Sequence, residues 1–180
     1  MQELPGELVT DEKLVESLLR TAITGTLLSS FEFREEVFEA AFWRNEPAGI
    51  LPFEVRLWTM GSFGMEAAAQ ASWPSWCRSD GSGQPYLPAV QAFLLANLWG
   101  EPIQQVSLRP STLLLGGRPG CRIVLPRVED WGSPVIDTPS WTIATADDEE
   151  HRWLVVCEPH GGVYAKVDSQ TLASLRPEDQ

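Results

Sequence analysis

Residues 11–43 read DEKLVESLLRTAITGTLLSSFEFREEVFEAAFW, and the periodicity of this stretch sets the expected fold class. Over residues 11–29, Leu14, Val15, Leu18, Leu19, Ala22, Ile23, Leu27 and Leu28 recur at steps of three and four, which gathers them on one helical stripe. Thr10 suits the N-cap, and Asp11 and Glu12 suit the positive end of the helix dipole. A second helix is expected over residues 32–43, with Phe31, Val37, Phe38, Ala41 and Phe42 around one face. Its glutamates, Glu32, Glu35, Glu36 and Glu39, fall largely around the other, and Ser29-Ser30 marks the join between the two helices.

Downstream, Pro52 opens a third helix carrying Phe53, Val55, Leu57 and Trp58, since proline is tolerated in a first turn, and Gly61 and Gly64 interrupt it. Residues 65–73 read as a short alanine-rich helix, and WPSWCRSDGSGQP (73–85) reads as a loop. Trp73, Trp76 and Tyr86 edge that loop, either as a binding surface or as its structural anchors. Residues 87–99 then form a buried helix with Val90, Phe93, Leu94, Leu95 and Leu98 apolar and Gly100 at its C′ position.

Beyond Pro102 the spacing changes to short β segments punctuated by Pro and Gly: 103–108, 112–115, 122–125, 141–146, 152–158 and 163–168. GGRPGC closes one hairpin and PHGG another, so that 152–158 and 163–168 are expected to pair antiparallel. The expected class is α+β, with N-terminal helices packed on one face of a mainly antiparallel C-terminal sheet. A chain of 180 residues, 43% of them hydrophobic, is expected to form one domain over 1–180 without needing a metal or disulfide staple. Its helical part would run over about 10–100 and its strand-rich part over about 101–170.

The formal charge of −12 repels phosphates and attracts basic partners, so direct nucleic-acid binding is disfavoured and a basic protein partner is expected. Besides the glutamates of 32–39, Asp147, Asp148, Glu149 and Glu150 form one acidic run; the competing explanation is solubility alone. The eight Trp supply either packing bulk or an aromatic binding surface. Cys77, Cys121 and Cys157 make neither a disulfide framework nor a zinc ribbon, as in a reducing compartment. No basic n-region precedes an apolar run, and no apolar stretch approaches the roughly 18–20 residues of a spanning helix, so the expected location is cytoplasmic and off the membrane.

Catalytic signatures are sparse. Cys157 and His160, flanking Glu158-Pro159, would make a nucleophile and base if brought together, which leaves a small thiol-dependent enzyme as one alternative. The competing reading is a cysteine packed as a small hydrophobe and a histidine in a turn. His151, His160, Asp147, Asp148, Cys157 and Glu158 cluster in sequence without ligand spacing, so no metal is expected. Gly116-Gly117-Arg118-Pro119-Gly120 lacks the Lys-Ser/Thr of a phosphate loop, Ser82 between two glycines lacks the strand of a nucleophile elbow, and no cofactor is expected.

Gly49-Ile50-Leu51-Pro52-Phe53-Glu54-Val55-Arg56-Leu57-Trp58 resembles the Gly-x-Leu-Pro helix opening of the SUKH (Smi1/Knr4) superfamily. Gly161-Gly162-Val163-Tyr164-Ala165-Lys166-Val167-Asp168 is similar to the strand ending Gly-x-Val-Tyr-x-x-Asp of that group, one residue off its spacing. The resemblance implies an α+β scaffold whose bacterial members act as immunity proteins that bind and block toxins. An acidic surface would match a basic nuclease toxin by steering association. The leading expectation is therefore a non-catalytic acidic protein-binding module contacting its partner through Glu32, Glu35, Glu36, Glu39, Trp73, Trp76, Tyr86 and Asp147 to Glu150. A structural subunit of an assembly, with an apolar interface, is a further alternative.

Overall fold

Short strands of alternating burial dominate the described residues. The computed structural model describes residues 6–34, 37–45, 51–60, 64–65, 91, 94–110, 112–117, 122–126, 139–146, 153–159 and 162–175. In chain order the elements are β1 (Glu7–Val9), α1 (Glu12–Ile23), β2 (Leu27–Arg34), β3 (Val37–Trp43), β4 (Glu54–Met60), β5 (Gly64–Met65), β6 (Gln105–Arg109) and β7 (Thr112–Gly116). There follow β8 (Arg122–Leu125), β9 (Trp141–Thr145), β10 (Trp153–Glu158), β11 (Gly162–Val167) and α2 (Ser169–Leu175). Residues 94–97 are also helical.

The expected α+β arrangement with N-terminal helices on a C-terminal sheet is overturned: 54% of the described residues are strand and 22% helix, and the N-terminal half supplies strands to both sheets. The predicted helix over 32–43 is instead the β2–β3 hairpin, and the helix predicted from Pro52 is β4. The first helix stops at Ile23 rather than Ser29, and its N-cap is Asp11 rather than Thr10, the Asp11 carboxylate accepting from the Lys13 and Leu14 amides at 2.8 and 3.3 Å. Gly25, at φ +81°, occupies the left-handed conformation that turns the chain out of α1 and into β2. Residues 66–73 of the short helix expected over 65–73, and residues 87–90, 92 and 93 of the helix expected over 87–99, lie outside the described residues; Met65 is in β5, and residues 91 and 94–97 are helical as expected. The pairing expected at the C-terminus holds, with Trp153 opposite Val167 and Cys157 opposite Val163.

Seven strands form one antiparallel sheet in the order β1-β11-β10-β9-β4-β3-β2, and four form a second in the order β5-β8-β7-β6. The larger sheet consists of two meanders, β2-β3-β4 and β9-β10-β11, zipped together where β4 meets β9, with β1 paired on the free edge of β11. The segment between those two central strands carries the smaller sheet. Alternation puts one row of side chains inside across the whole larger sheet: Phe31, Ala40, Leu57, Ile143, Val155, Ala165 and Val9 are successive cross-strand neighbours. All but the partly buried Phe31 are fully or nearly fully buried.

Helix α1 joins the sheets into one core. It contacts β11 of the larger sheet and β6 of the smaller one, and buries Val15, Leu18, Leu19, Ala22 and Ile23. Its C-terminal carbonyls are held from β3's far end by Arg44, whose guanidinium donates to Ala22 at 2.9 Å, Thr24 at 3.3 Å and Thr21 at 3.5 Å. A cation in this position also meets the negative end of the helix dipole. Burial lowers the guanidinium's pKa from its ordinary value, although arginine stays charged in any physiological range.

Candidate functional site

The face of the seven-stranded sheet turned away from the core has a composition unlike an ordinary solvated face. Strand alternation puts there the cross-strand row Glu32, Glu39, Trp58, Thr142, Val156 and Tyr164, which runs unbroken over six strands. Beside it runs Ser30, Ala41, Arg56, Ala144, Leu154, Lys166 and Leu8. Glu54 and Glu158 share this face with Arg56 and Lys166. Arg56 is engaged within the face, its Nε 2.8 Å from the Glu54 carboxylate.

Two carboxylates stand directly opposite each other here, Glu32 on β2 and Glu39 on β3. Like charges so placed concentrate negative potential on this hairpin, a field that attracts a cationic group. Aromatic area lies alongside. Trp43 and Phe53 are 37% and 43% exposed and meet edge to face with ring centroids 6.0 Å apart, while Trp58 adjoins Glu39 in the row. Leu8, 64% exposed, borders an open groove that reaches Tyr164 across β11. The Tyr164 hydroxyl is hydrogen-bonded to Glu158; desolvation first, then the Glu158 charge and that bond, push its pKa above the ordinary value.

Of the acidic residues expected at a partner surface, Glu32 and Glu39 are thus brought together, on a hairpin rather than a helix. Glu35, Glu36, Trp73, Trp76, Tyr86, Asp147, Asp148, Glu149 and Glu150 lie outside the described residues. Trp58 was missed as a site residue because the helical reading grouped it with Val55 and Leu57. In a strand those two point into the core and Trp58 points away from it. The signal was the alternation of Glu54-Val55-Arg56-Leu57-Trp58 itself.

Cys157 sits on the opposite, inner side. It lies between Trp141 and Val163 in register and has no solvent exposure, so a substrate would have to open the sheet to meet its sulfur. His160 lies outside the described residues. Among the described residues, no group of three or more His, Cys, Asp or Glu side chains is placed to hold a metal ion, and no helix is long and apolar enough to cross a membrane. The chain matches no known protein family, no curated protein and no solved structure.

Proposed function

We propose that this chain is a non-catalytic protein-binding module that receives a basic protein partner on the non-core face of its seven-stranded sheet. The observation carrying this reading is the Glu32 end of the row, where opposed carboxylates adjoin the partly exposed Trp58 in register on three paired strands. Carboxylates steer a cationic partner and set its orientation, whereas aromatic side chains supply desolvated anchors that slow its release. The SUKH resemblance, left to the strand ending at β11 because residues 54–60 form β4 and not a helix, gives this role a specific form, in which the module is a bacterial immunity protein and the basic partner a toxin.

Affinity capture with the full chain, followed by association kinetics on the captured protein, tests the reading. The partner should be basic, and its association rate should fall as salt shortens the Debye length from about 10 Å at 0.1 M to about 3 Å at 1 M. Glu39→Lys should slow association several-fold. The same change sets opposite charges across the hairpin at Glu32, a cross-strand pairing worth about 0.2–1 kcal/mol, so weaker binding would not reflect unfolding. Trp58→Ala should act mainly on dissociation. An association rate indifferent to both salt and Glu39→Lys would overturn the electrostatic reading and favour an apolar assembly interface.

A further inference from the structure

The margin of the seven-stranded sheet farthest from Glu32 leaves a stretch of strand uncovered. Strand β1 spans only Glu7–Val9 and pairs with Ala165 to Val167 of β11, so Gly162, Val163 and Tyr164 continue past its end. At Thr10 the chain leaves the sheet for α1, and an open groove of about 460 Å³ lies there, lined by Leu8, Thr10, Glu12, Gly162, Val163 and Tyr164.

Hydrogen bonds across the sheet fix which backbone groups face that groove. The Ala146 amide donates to the Glu54 carbonyl at 3.2 Å, so even positions of β9 bond toward β4 and the odd ones, Trp141, Ile143 and Thr145, toward β10. Odd positions of β10 accordingly face β9: the Cys157 carbonyl accepts from the Ser140 amide at 2.8 Å, and the Trp153 amide donates to the Thr145 hydroxyl at 3.4 Å. In β11, Gly162, Tyr164 and Lys166 therefore bond back to β10, whereas Val163, Ala165 and Val167 turn their N–H and C=O groups outward. Strand β1 meets the last two, opposite Val9 and Glu7. Among the described residues, none bonds to the outward N–H and C=O of Val163. At 5% exposure these groups are also largely withdrawn from water, where an unpaired backbone donor and acceptor is costly.

We infer that an extended segment of a partner protein adds to this edge antiparallel to β11, with a basic side chain opposite Val163 selected by Glu12. The segment's residue facing Val163 exchanges both backbone hydrogen bonds with it, as in other peptide additions to open strand edges. Paired residues of a ladder point to one face, so that side chain follows Val163 to the side on which α1 packs. Glu12 waits there, the one charged residue in the groove's lining. The segment's neighbouring residues turn to the other side, beside Tyr164 and the 64%-exposed Leu8, which favours apolar side chains. An acidic segment is opposed by Glu12 and by the chain's charge of −12. Because Glu32 lies on β2, at the opposite end of the strand order, neither site depends on the other.

The probe is a capped pentapeptide with lysine at its centre, leucine on either side and threonine at each end, titrated into the isotope-labelled full chain. Saturable binding is expected, with amide exchange at Val163 slowed in the complex. Methylating the backbone nitrogen of the peptide's lysine should weaken binding about tenfold, and this arm leaves the protein's own fold untouched. Glu12→Gln should weaken it about threefold, whereas Glu101→Gln, which removes a charge outside the groove, should leave it unchanged. No saturable binding, unslowed exchange at Val163 in the complex, full affinity of the methylated peptide, or equal weakening by Glu101→Gln would overturn the inference.

Discussion

Cys157 illustrates how strand parity decides what a residue can do. Odd positions of β10, Trp153, Val155 and Cys157, enter the core, whereas Leu154, Val156 and Glu158 face the other way, toward Tyr164 and Lys166. A thiol so placed packs against apolar neighbours, and serine in its place puts a smaller, more polar group into the same space. Cys157→Ser is expected to cost about 1–2 kcal/mol in chemical denaturation while leaving partner binding intact once stability is allowed for. Lost activity with unchanged stability would instead support the thiol-enzyme alternative. At the same scale Glu32 and Glu39 were readable as acidic from the sequence, but their direct opposition was not, because register follows from pairing and not from composition.

Secondary elements show why the C-terminal half was legible and the N-terminal half was not. Val37, Phe38, Ala41 and Phe42 satisfy a helical stripe, but Phe31, Phe33, Phe38, Ala40 and Phe42 satisfy the alternation of a hairpin as well, and all five turn toward the core. Glutamate and alanine tilt the local preference to helix; β4, pairing along all of β3, tilts the whole structure to sheet. Ser29, read as a helix join, sits at the irregularity in β2–β3 register, its hydroxyl donating to the Ala41 carbonyl at 3.1 Å. Strands β6 to β11 were readable, within a residue or two, because valine, isoleucine and leucine runs there are bounded by proline and glycine. Helix α1 carries its own prediction. Arg44→Met keeps much of the side-chain bulk but removes every donor to the Thr21, Ala22 and Thr24 carbonyls, and should lower stability by about 1–2 kcal/mol. Amide hydrogen exchange should quicken in the last turn of α1 first; protection lost equally across the molecule would rule out a local capping role.

Across the whole molecule, the larger sheet has two distinct margins, opposed carboxylates toward the β2 end and an uncovered stretch of β11 at the other. The scaffold that separates them is closed by a seam between distant parts of the chain: β4 and β9 pair Val55 with Thr145 and Thr59 with Trp141, 90 and 82 positions apart. That seam has a kinetic consequence. Each meander can assemble from neighbouring strands within microseconds, but joining them requires closure of the long intervening segment before any contact rewards it. Folding should therefore take milliseconds to seconds, with the β4–β9 junction formed at the rate-limiting barrier and β1 added afterwards against β11. In stopped-flow chevrons, Ile143→Val at the junction should chiefly slow refolding, whereas Val9→Ala on β1 should chiefly hasten unfolding. The reverse pattern would mean that the chain's nucleus lies at the sheet's margin instead of at its centre.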